Sequence, residues 1–164
     1  MGLFDRLLYN DYIVAAKRLL ERTLEQDVTD VDREMAATLS VSLKRFIEER
    51  TYLRIAAVRG GLYVFGRRTP RETLALADSK FDEMLRAHFE KLTGQEGGGP
   101  SHYKARNRYI IEEPAAVAAK FHFFASDEIG EQLTGDSLMG FVEWTHRELK
   151  TYLVIVGEQT KGLR

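Results

Sequence analysis

The sequence predicts a mainly α-helical fold, a helical bundle of four long helices with shorter helices beside them, and it leaves room for a small two-stranded β-ribbon. Apolar side chains recur at three- and four-residue steps along most of the chain, which is typical of amphipathic helices. Residues that cap or stop helices flank those stretches, and strict two-residue alternation is confined to 102–111. A length of 164 residues fits one domain, here 1–164, which can bury a core without a disulfide or a metal.

The first helical pattern covers 10–26, after a short amphipathic turn over 1–9. The apolar residues of that turn share one side, and they are Leu3, Phe4, Leu7 and Leu8. We expect the turn to dock on its own domain, and peripheral membrane contact through 1–9 is the alternative.

The central element of the prediction is one helix over 30–59, which would span about 45 Å at ~1.5 Å per residue. Thr29 and Asp32 can accept hydrogen bonds from free amide groups at its start. Gly60 and Gly61 indicate its stop, because glycine readily adopts the left-handed conformation that ends helices.

Two further segments follow this helix. Residues 61–66 form an aromatic and β-branched run between glycines, which predicts a short strand or an extended connector. Thr69, Pro70 and Glu72 match a helix N-terminus, with threonine as the cap, proline at the first helical position and glutamate reaching back to the cap. The helix that begins at Pro70 should continue through residue 93.

The glycine-rich segment 94–101 is predicted to be a flexible loop inside the domain. In the next segment, 102–111, the basic residues alternate with aromatic and apolar ones, which predicts a strand that pairs with 62–65 as the ribbon. Pro114 opens a helix over 115–125 that is apolar almost all round, and we expect it at the bundle centre or at a homodimer interface.

The last part of the chain contains two predicted helices. Residues 126–133 form a short polar helix, and Asp136 caps a long final helix that ends near Gly157. Within that final helix, Glu143 and His146 have the Glu-x-x-His spacing of di-iron bundles. The sequence contains no second such pair, and both residues lie opposite the apolar stripe, so we expect an ordinary solvated face and no metal.

Charge is unevenly distributed along the chain, although the net charge is only −1. Residues 44–71 contain eight basic and two acidic side chains, and 101–111 add three basic ones and no acid. These two segments therefore carry +9 and the rest of the chain −10. If the ribbon brings them together, they form one basic patch with interleaved aromatic rings that could bind nucleic acid or another polyanion.

The candidate residues of this patch are the cations of both segments and the tyrosines beside them. They are Arg54, Arg59, Arg67, Arg68, Lys104, Arg106, Arg108, Tyr63, Tyr103 and Tyr109. The competing interpretation is that these cations pair with the acidic remainder of the chain, within one molecule or across a dimer.

The sequence contains no cysteine, which excludes thiol catalysis and cysteine-ligated metal sites. It shows no phosphate-binding loop and no nucleophile beside a base, and His88 and His122 fall on apolar faces typical of core histidines. We therefore expect no cofactor and a non-enzymatic binding or assembly subunit that acts through protein–protein contacts and self-associates. Nucleic-acid binding is the first alternative, and an enzyme or ligand-binding bundle is the second. No apolar run approaches the length of a membrane helix, which favours a cytoplasmic location.

Overall fold

The computed structural model describes residues 2–24, 27–126 and 133–163. The mainly α prediction is confirmed, and no strand is present within these ranges. The helices are α1 (Leu3–Leu24), α2 (Asp30–Thr38), α3 (Leu43–Phe65), α4 (Arg71–Thr93), α5 (Gly99–Asn107), α6 (Pro114–Ala125) and α7 (Gly135–Gln159), with a 3₁₀ turn at Glu96–Gly98. None of the described helices combines the length and the apolar character needed to cross a membrane.

The predicted single helix over 30–59 is wrong, because α2 and α3 are separate helices. Ser40 adopts a left-handed conformation with φ of +54°, which ends α2. The Ser42 side chain then accepts a hydrogen bond from the backbone N of Arg45 at 3.3 Å and caps the start of α3. The predicted start is confirmed, since Thr29 and Asp32 form a reciprocal capping box.

The predicted stop at Gly60 and Gly61 is also wrong, because α3 continues to Phe65 and includes the predicted strand. These glycines serve close packing between helices. A Cβ on Gly61 would lie 3.1 Å from Cγ1 of Val156 on α7, and one on Gly60 would lie 3.2 Å from Cγ1 of Ile111. The absence of side chains at these two positions lets neighbouring elements approach α3 closely.

The helix α1 is one continuous element, so the predicted separate turn at 1–9 is part of it. Its first turns do not dock on the domain as expected: Leu3, Phe4 and Leu7 are 75%, 80% and 54% exposed. The next turns are anchored in the core, where Tyr12 is buried and its hydroxyl lies 3.3 Å from Thr69 Oγ1.

The helix α4 begins at Arg71, one residue later than predicted, with Pro70 at the cap position. Thr69 makes no capping hydrogen bond, because it is buried and its hydroxyl faces Tyr12. The predicted end is confirmed, since Gly94 has a φ of +67° and closes the helix with a hydrogen bond to the Glu90 carbonyl.

The predicted ribbon strands at 62–65 and 102–111 are wrong, because the first lies in α3 and most of the second lies in α5. The glycines at 94–101, predicted to be a loop, form the 3₁₀ turn and the start of α5. At Gly98, with φ of +74°, a Cβ would lie 2.9 Å from the Phe89 Cβ, so the turn packs tightly against α4. The alternating cations were misleading because a helix can present Lys104 and Arg108 on one side and Arg106 on another.

The remaining helices follow the sequence more closely. The helix α6 begins at Pro114 as predicted, and α7 begins at Gly135, one residue before the predicted cap Asp136. The short polar helix predicted over 126–133 lies almost entirely outside the described residues. The helices α3, α6 and α7 meet in an aromatic core with ring centroids 5.1–5.5 Å apart, formed by Phe46, Phe121, Phe141 and Trp144.

Candidate functional site

The two basic segments lie next to each other because α5 packs against both α3 and α4. Nη1 of Arg59 on α3 lies 3.5 Å from the backbone oxygen of Arg106 on α5. A surface cavity of about 560 Å³ opens at this junction, and four of the candidate residues line it: Arg59, Tyr63, Arg106 and Tyr109. Helix packing, and not the predicted β-ribbon, therefore brings the two basic segments together.

Most of the candidate cations contact carboxylates. Five of the seven form ion pairs, which are Arg54–Glu148 at 2.6 Å, Arg59–Asp78 at 2.8 Å, Lys104–Glu48 at 3.7 Å, Arg106–Asp82 at 3.1 Å and Arg108–Glu49 at 2.6 Å. Each pair neutralises a charge that a phosphate would otherwise contact. The positive charge seen in the sequence is thus largely balanced within the molecule.

The acidic partners around the cavity come from one face of α4. Asp78 accepts two hydrogen bonds from Arg59, from Nε at 2.9 Å and Nη2 at 2.8 Å, which is the bidentate geometry that arginine favours. One turn later, Asp82 lies 3.1 Å from both Arg106 Nη1 and His102 Nε2. These contacts join α3, α4 and α5 and leave the rim of the cavity close to neutral.

A buried polar cluster lies beneath α5. Glu49 is 2% exposed, accepts a hydrogen bond from the Tyr109 hydroxyl at 3.0 Å, and forms its ion pair with Arg108 at angles outside the range of a hydrogen bond. The Arg108 guanidinium also lies 4.3 Å from the Phe124 ring centroid. Burial raises the pKa of Glu49 despite the Arg108 charge, and burial together with the Glu49 charge raises the pKa of Tyr109. These residues face the protein interior, so they are not available to a polyanion.

The other candidates remain on the surface. Arg67 and Arg68 are exposed after the end of α3, and neither contacts a carboxylate in the described part of the chain. Tyr63 and Tyr103 are 45% and 69% exposed. Burial and the Asp78 charge raise the pKa of Tyr63. The unpaired arginines therefore lie at one end of α3, apart from the paired ones.

A second cavity, of about 310 Å³, adjoins the first and shares three of its walls, Phe65, Ile111 and Leu153. We call the two cavities together the α3–α7 groove. Exposed apolar side chains continue from it onto the surface, including Val64 at 47% and Val154 at 50%. The groove is thus an apolar concavity with apolar edges, which is typical of a surface that contacts another protein.

A third cavity, of about 740 Å³, lies between α1, α3, α4 and α5 and is separate from the groove. Its floor includes Ile47 and Phe89, and its polar corner includes the Tyr52 hydroxyl, which donates a hydrogen bond to Glu48 at 2.9 Å. Burial raises the pKa of Tyr52, and burial lowers the pKa of His88 at the edge. No pattern in the sequence indicates this cavity, because its walls come from four separate helices.

The buried ionic residues were also missed by the sequence analysis, although a signal was present. The apolar stripe of α3 includes Phe46 and Leu53, but the positions of the stripe in the helical turn between them are not apolar. Glu49 and Arg50 occupy that turn and are 2% and 1% exposed. Both residues have the three- and four-residue spacing of the buried face, which was the signal that their charges are buried and need partners.

Metal binding receives no support from the described residues, where no cluster of three or more histidines and carboxylates has a suitable arrangement. Glu143 and His146 are both exposed on α7. Comparison of the chain with protein-family models, curated proteins and solved structures finds no match.

Proposed function

We propose that this protein is a non-enzymatic binding or assembly subunit that acts through protein–protein contacts and associates with itself. The observation that carries the proposal is the α3–α7 groove, whose shared walls are Phe65, Ile111 and Leu153. Contiguous exposed apolar surface costs free energy in water, and proteins cover such surface when they bind partners.

The charges around the groove favour a protein partner over a polyanion. Arg59 and Arg106 at its rim already contact Asp78 and Asp82. An apolar floor with a polar, charge-balanced rim is the usual anatomy of a protein interface. A nucleic-acid surface, by contrast, needs cations that can release counterions from phosphates.

The helix α6 offers a second face for self-association, as the sequence analysis expected. Ala115, Ala119 and Phe123 follow one another at four-residue steps, and all three are exposed, Phe123 by 73%. The α6 face and the α3–α7 groove are two different contact surfaces. A substitution on each face can show which of them self-association uses.

Light scattering over a range from micromolar to submillimolar protein tests the proposal. We expect a mass above the monomer value of 18.8 kDa at the upper end. Val154→Asp at the groove should return the mass to that of the monomer, because a charge there would be buried in the contact without a partner. Val31→Asp is the matched control, since Val31 on α2 is 44% exposed and should tolerate the same change.

Two results would count against this proposal. A mass of 18.8 kDa at every concentration would remove self-association. If Phe123→Asp lowers the mass and Val154→Asp does not, the self-association contact lies on α6 and not in the groove. Circular dichroism of each variant separates a lost contact from a lost fold.

Binding of nucleic acid remains the second candidate, supported by the exposed arginines Arg67, Arg68 and Arg71 after α3. A filter-binding titration at two salt concentrations tests it. This candidate requires an affinity that falls steeply with salt and that drops when Arg67 and Arg68 become alanine. Alanine at the ion-paired Arg106 should have a smaller effect, and no binding at low salt would remove the candidate.

A ligand-binding or enzymatic role is the third candidate, supported by the cavity of about 740 Å³, a volume within the range of small-molecule sites. An apolar fluorescent dye would report binding there. Phe89→Ala should change the dye affinity, whereas Val154→Asp at the groove should leave it unchanged. The cytoplasm is the location that we propose for all three roles.

A further inference from the structure

We propose that the first two turns of α1, residues 3–8, dock into the α3–α7 groove of a second copy of this chain, and that the exchange is reciprocal. We call these turns the α1 arm. The inference rests on the proposed function, since it takes the groove as a protein contact and names its occupant. Both the arm and the groove are exposed in the structure, and one chain supplies both.

The described part of the domain leaves most of the α1 arm uncovered. Helix α1 is continuous from Leu3 to Leu24, and Tyr12, which is 1% exposed, fixes its position in the core. At ~1.5 Å per residue, Leu3 lies about 13 Å further along the helix axis than Tyr12. Because a continuous helix does not fold back on itself, these side chains extend beyond the described part of their own domain and are open to contact with another molecule.

The apolar residues of the arm have the spacing of a helix that binds in a groove. Leu3 and Leu7 are four residues apart, and so are Phe4 and Leu8, which gives two adjacent apolar rows on one side. Leu3, Phe4 and Leu7 are each more than half exposed. The two cavities of the α3–α7 groove, about 560 and 310 Å³, offer space for large apolar side chains of this kind.

The area of such an exchange matches that of a stable dimer. From their exposed fractions, Leu3, Phe4 and Leu7 present about 400 Å² of side-chain surface per arm. Two arms and two grooves would together bury roughly 1,250 Å², which lies at the lower end of the range of about 1,200–2,000 Å² for a specific protein–protein interface. Either contact alone would fall below that size, so the exchange needs to be reciprocal.

A membrane surface is a poorer match for the arm than a second copy. Helices that lie on membranes usually have a polar face rich in lysine and arginine. Residues 2–9 contain one arginine, Arg6, and one aspartate, Asp5, so their charges cancel. The apolar rows therefore have no basic face beside them to hold anionic lipid.

Cross-linking tests the proposal directly, because the native chain contains no cysteine. We would prepare Leu7→Cys and Val154→Cys as separate proteins, mix them and oxidise them. The expected product is a covalent heterodimer on a non-reducing gel, with a yield well above that of either protein alone. Leu7→Cys mixed with Phe123→Cys is the matched control, and it should give little product because Phe123 lies on α6.

Light scattering of Phe4→Asp provides the second measurement. Phe4 is 80% exposed, so the substitution should leave the fold intact while it removes the dimer. One outcome separates the exchange from the proposed function: Val154→Asp removes the dimer, Phe4→Asp leaves it intact, and the cross-linked heterodimer does not form. The groove then binds a surface other than the arm. That result overturns the arm exchange and leaves the proposed function standing. A chain that stays monomeric in both assays overturns the exchange and the self-association together. Binding of the monomer to phosphatidylserine vesicles that Phe4→Asp abolishes would overturn the exchange in favour of a membrane.

Discussion

Two buried ion pairs involve adjacent residues of α3, and the pKa of the carboxyl group shifts in opposite directions in the two pairs. Arg50 contacts Asp32 on α2 at 2.5 Å, and Glu49 contacts Arg108 after α5 at 2.6 Å. Burial opposes the charge of both carboxyl groups. For Asp32, hydrogen bonds from the Thr29 backbone, the Thr29 side chain and Arg50 outweigh burial and lower the pKa, whereas for Glu49 burial prevails and raises the pKa.

The comparison shows that the charge of a buried carboxylate depends on the balance between its desolvation and the hydrogen bonds that it accepts. Asp32 accepts hydrogen bonds from Thr29 N at 2.7 Å and from Thr29 Oγ1 at 2.8 Å, in addition to the contact with Arg50. Glu49 accepts one from the Tyr109 hydroxyl. The cost of desolvating a carboxylate is offset only where several donors replace the lost water.

The largest expected effect is the loss of Asp32. Asp32→Asn should lower the free energy of unfolding by about 3–5 kcal/mol, because Arg50 is 1% exposed and would keep a buried charge without its partner. Glu49→Gln should change it by less than about 1 kcal/mol, since the raised pKa means that the ionised carboxylate is itself disfavoured in the fold, and Arg108 stays against Phe124. Urea unfolding at neutral pH measures both values. Equal losses for the two variants would contradict the distinction between the pairs.

The pH dependence of stability should have opposite signs for the two carboxyl groups. The folded pKa of Asp32 lies below its ordinary value of 3.8, so its contribution is present above pH 3.8 and is lost as the pH falls through the folded pKa. The folded pKa of Glu49 lies above 4.5, so the folded state binds the proton more tightly, and stability declines as the pH rises from 4.5 through the folded pKa.

Unfolding measured as a function of pH checks both signs. Glu49→Gln should remove the decline above pH 4.5, and Asp32→Asn should remove part of the loss in acid. A Glu49→Gln profile parallel to that of the native protein across this window would show that Glu49 titrates normally.

The smallest expected effects belong to the surface ion pairs around the groove. Arg59→Ala should cost about 1 kcal/mol, because its bidentate contact with Asp78 is mostly shielded from water. Arg106→Ala should change stability by less than about 0.5 kcal/mol, since the Arg106 side chain is 52% exposed and makes one hydrogen bond to Asp82. Thermal unfolding of the two variants side by side measures the difference. A larger loss for Arg106 would show that exposure does not rank these pairs.

The elements with strong local signals were predicted well. The capping box of Thr29 and Asp32, the helix end at Gly94 and the helix start at Pro114 were all found in the structure. These features depend on hydrogen bonds and backbone angles within a few residues, so neighbouring sequence is sufficient to determine them.

The errors occurred where distant parts of the chain decide the structure. Gly60 and Gly61 looked like a helix stop, but their lack of side chains serves the contacts with Ile111 and Val156. Lys104 and Arg106 alternated like residues of a strand, but α5 places them against carboxylates of two different helices, Glu48 on α3 and Asp82 on α4. Local pattern cannot reveal such partners, because they lie 24 residues or more away along the chain.

The sequence by itself determined the helical class, the helix ends that carry local capping signals and the segregation of charge, since all three follow from residue type and short-range spacing. Only the tertiary structure decided which cations are neutralised, where the α3–α7 groove opens and that the first turns of α1 are exposed. The reason is that a side chain's charge and solvent contact depend on which other helices pack against it, and that packing is a property of the whole folded chain.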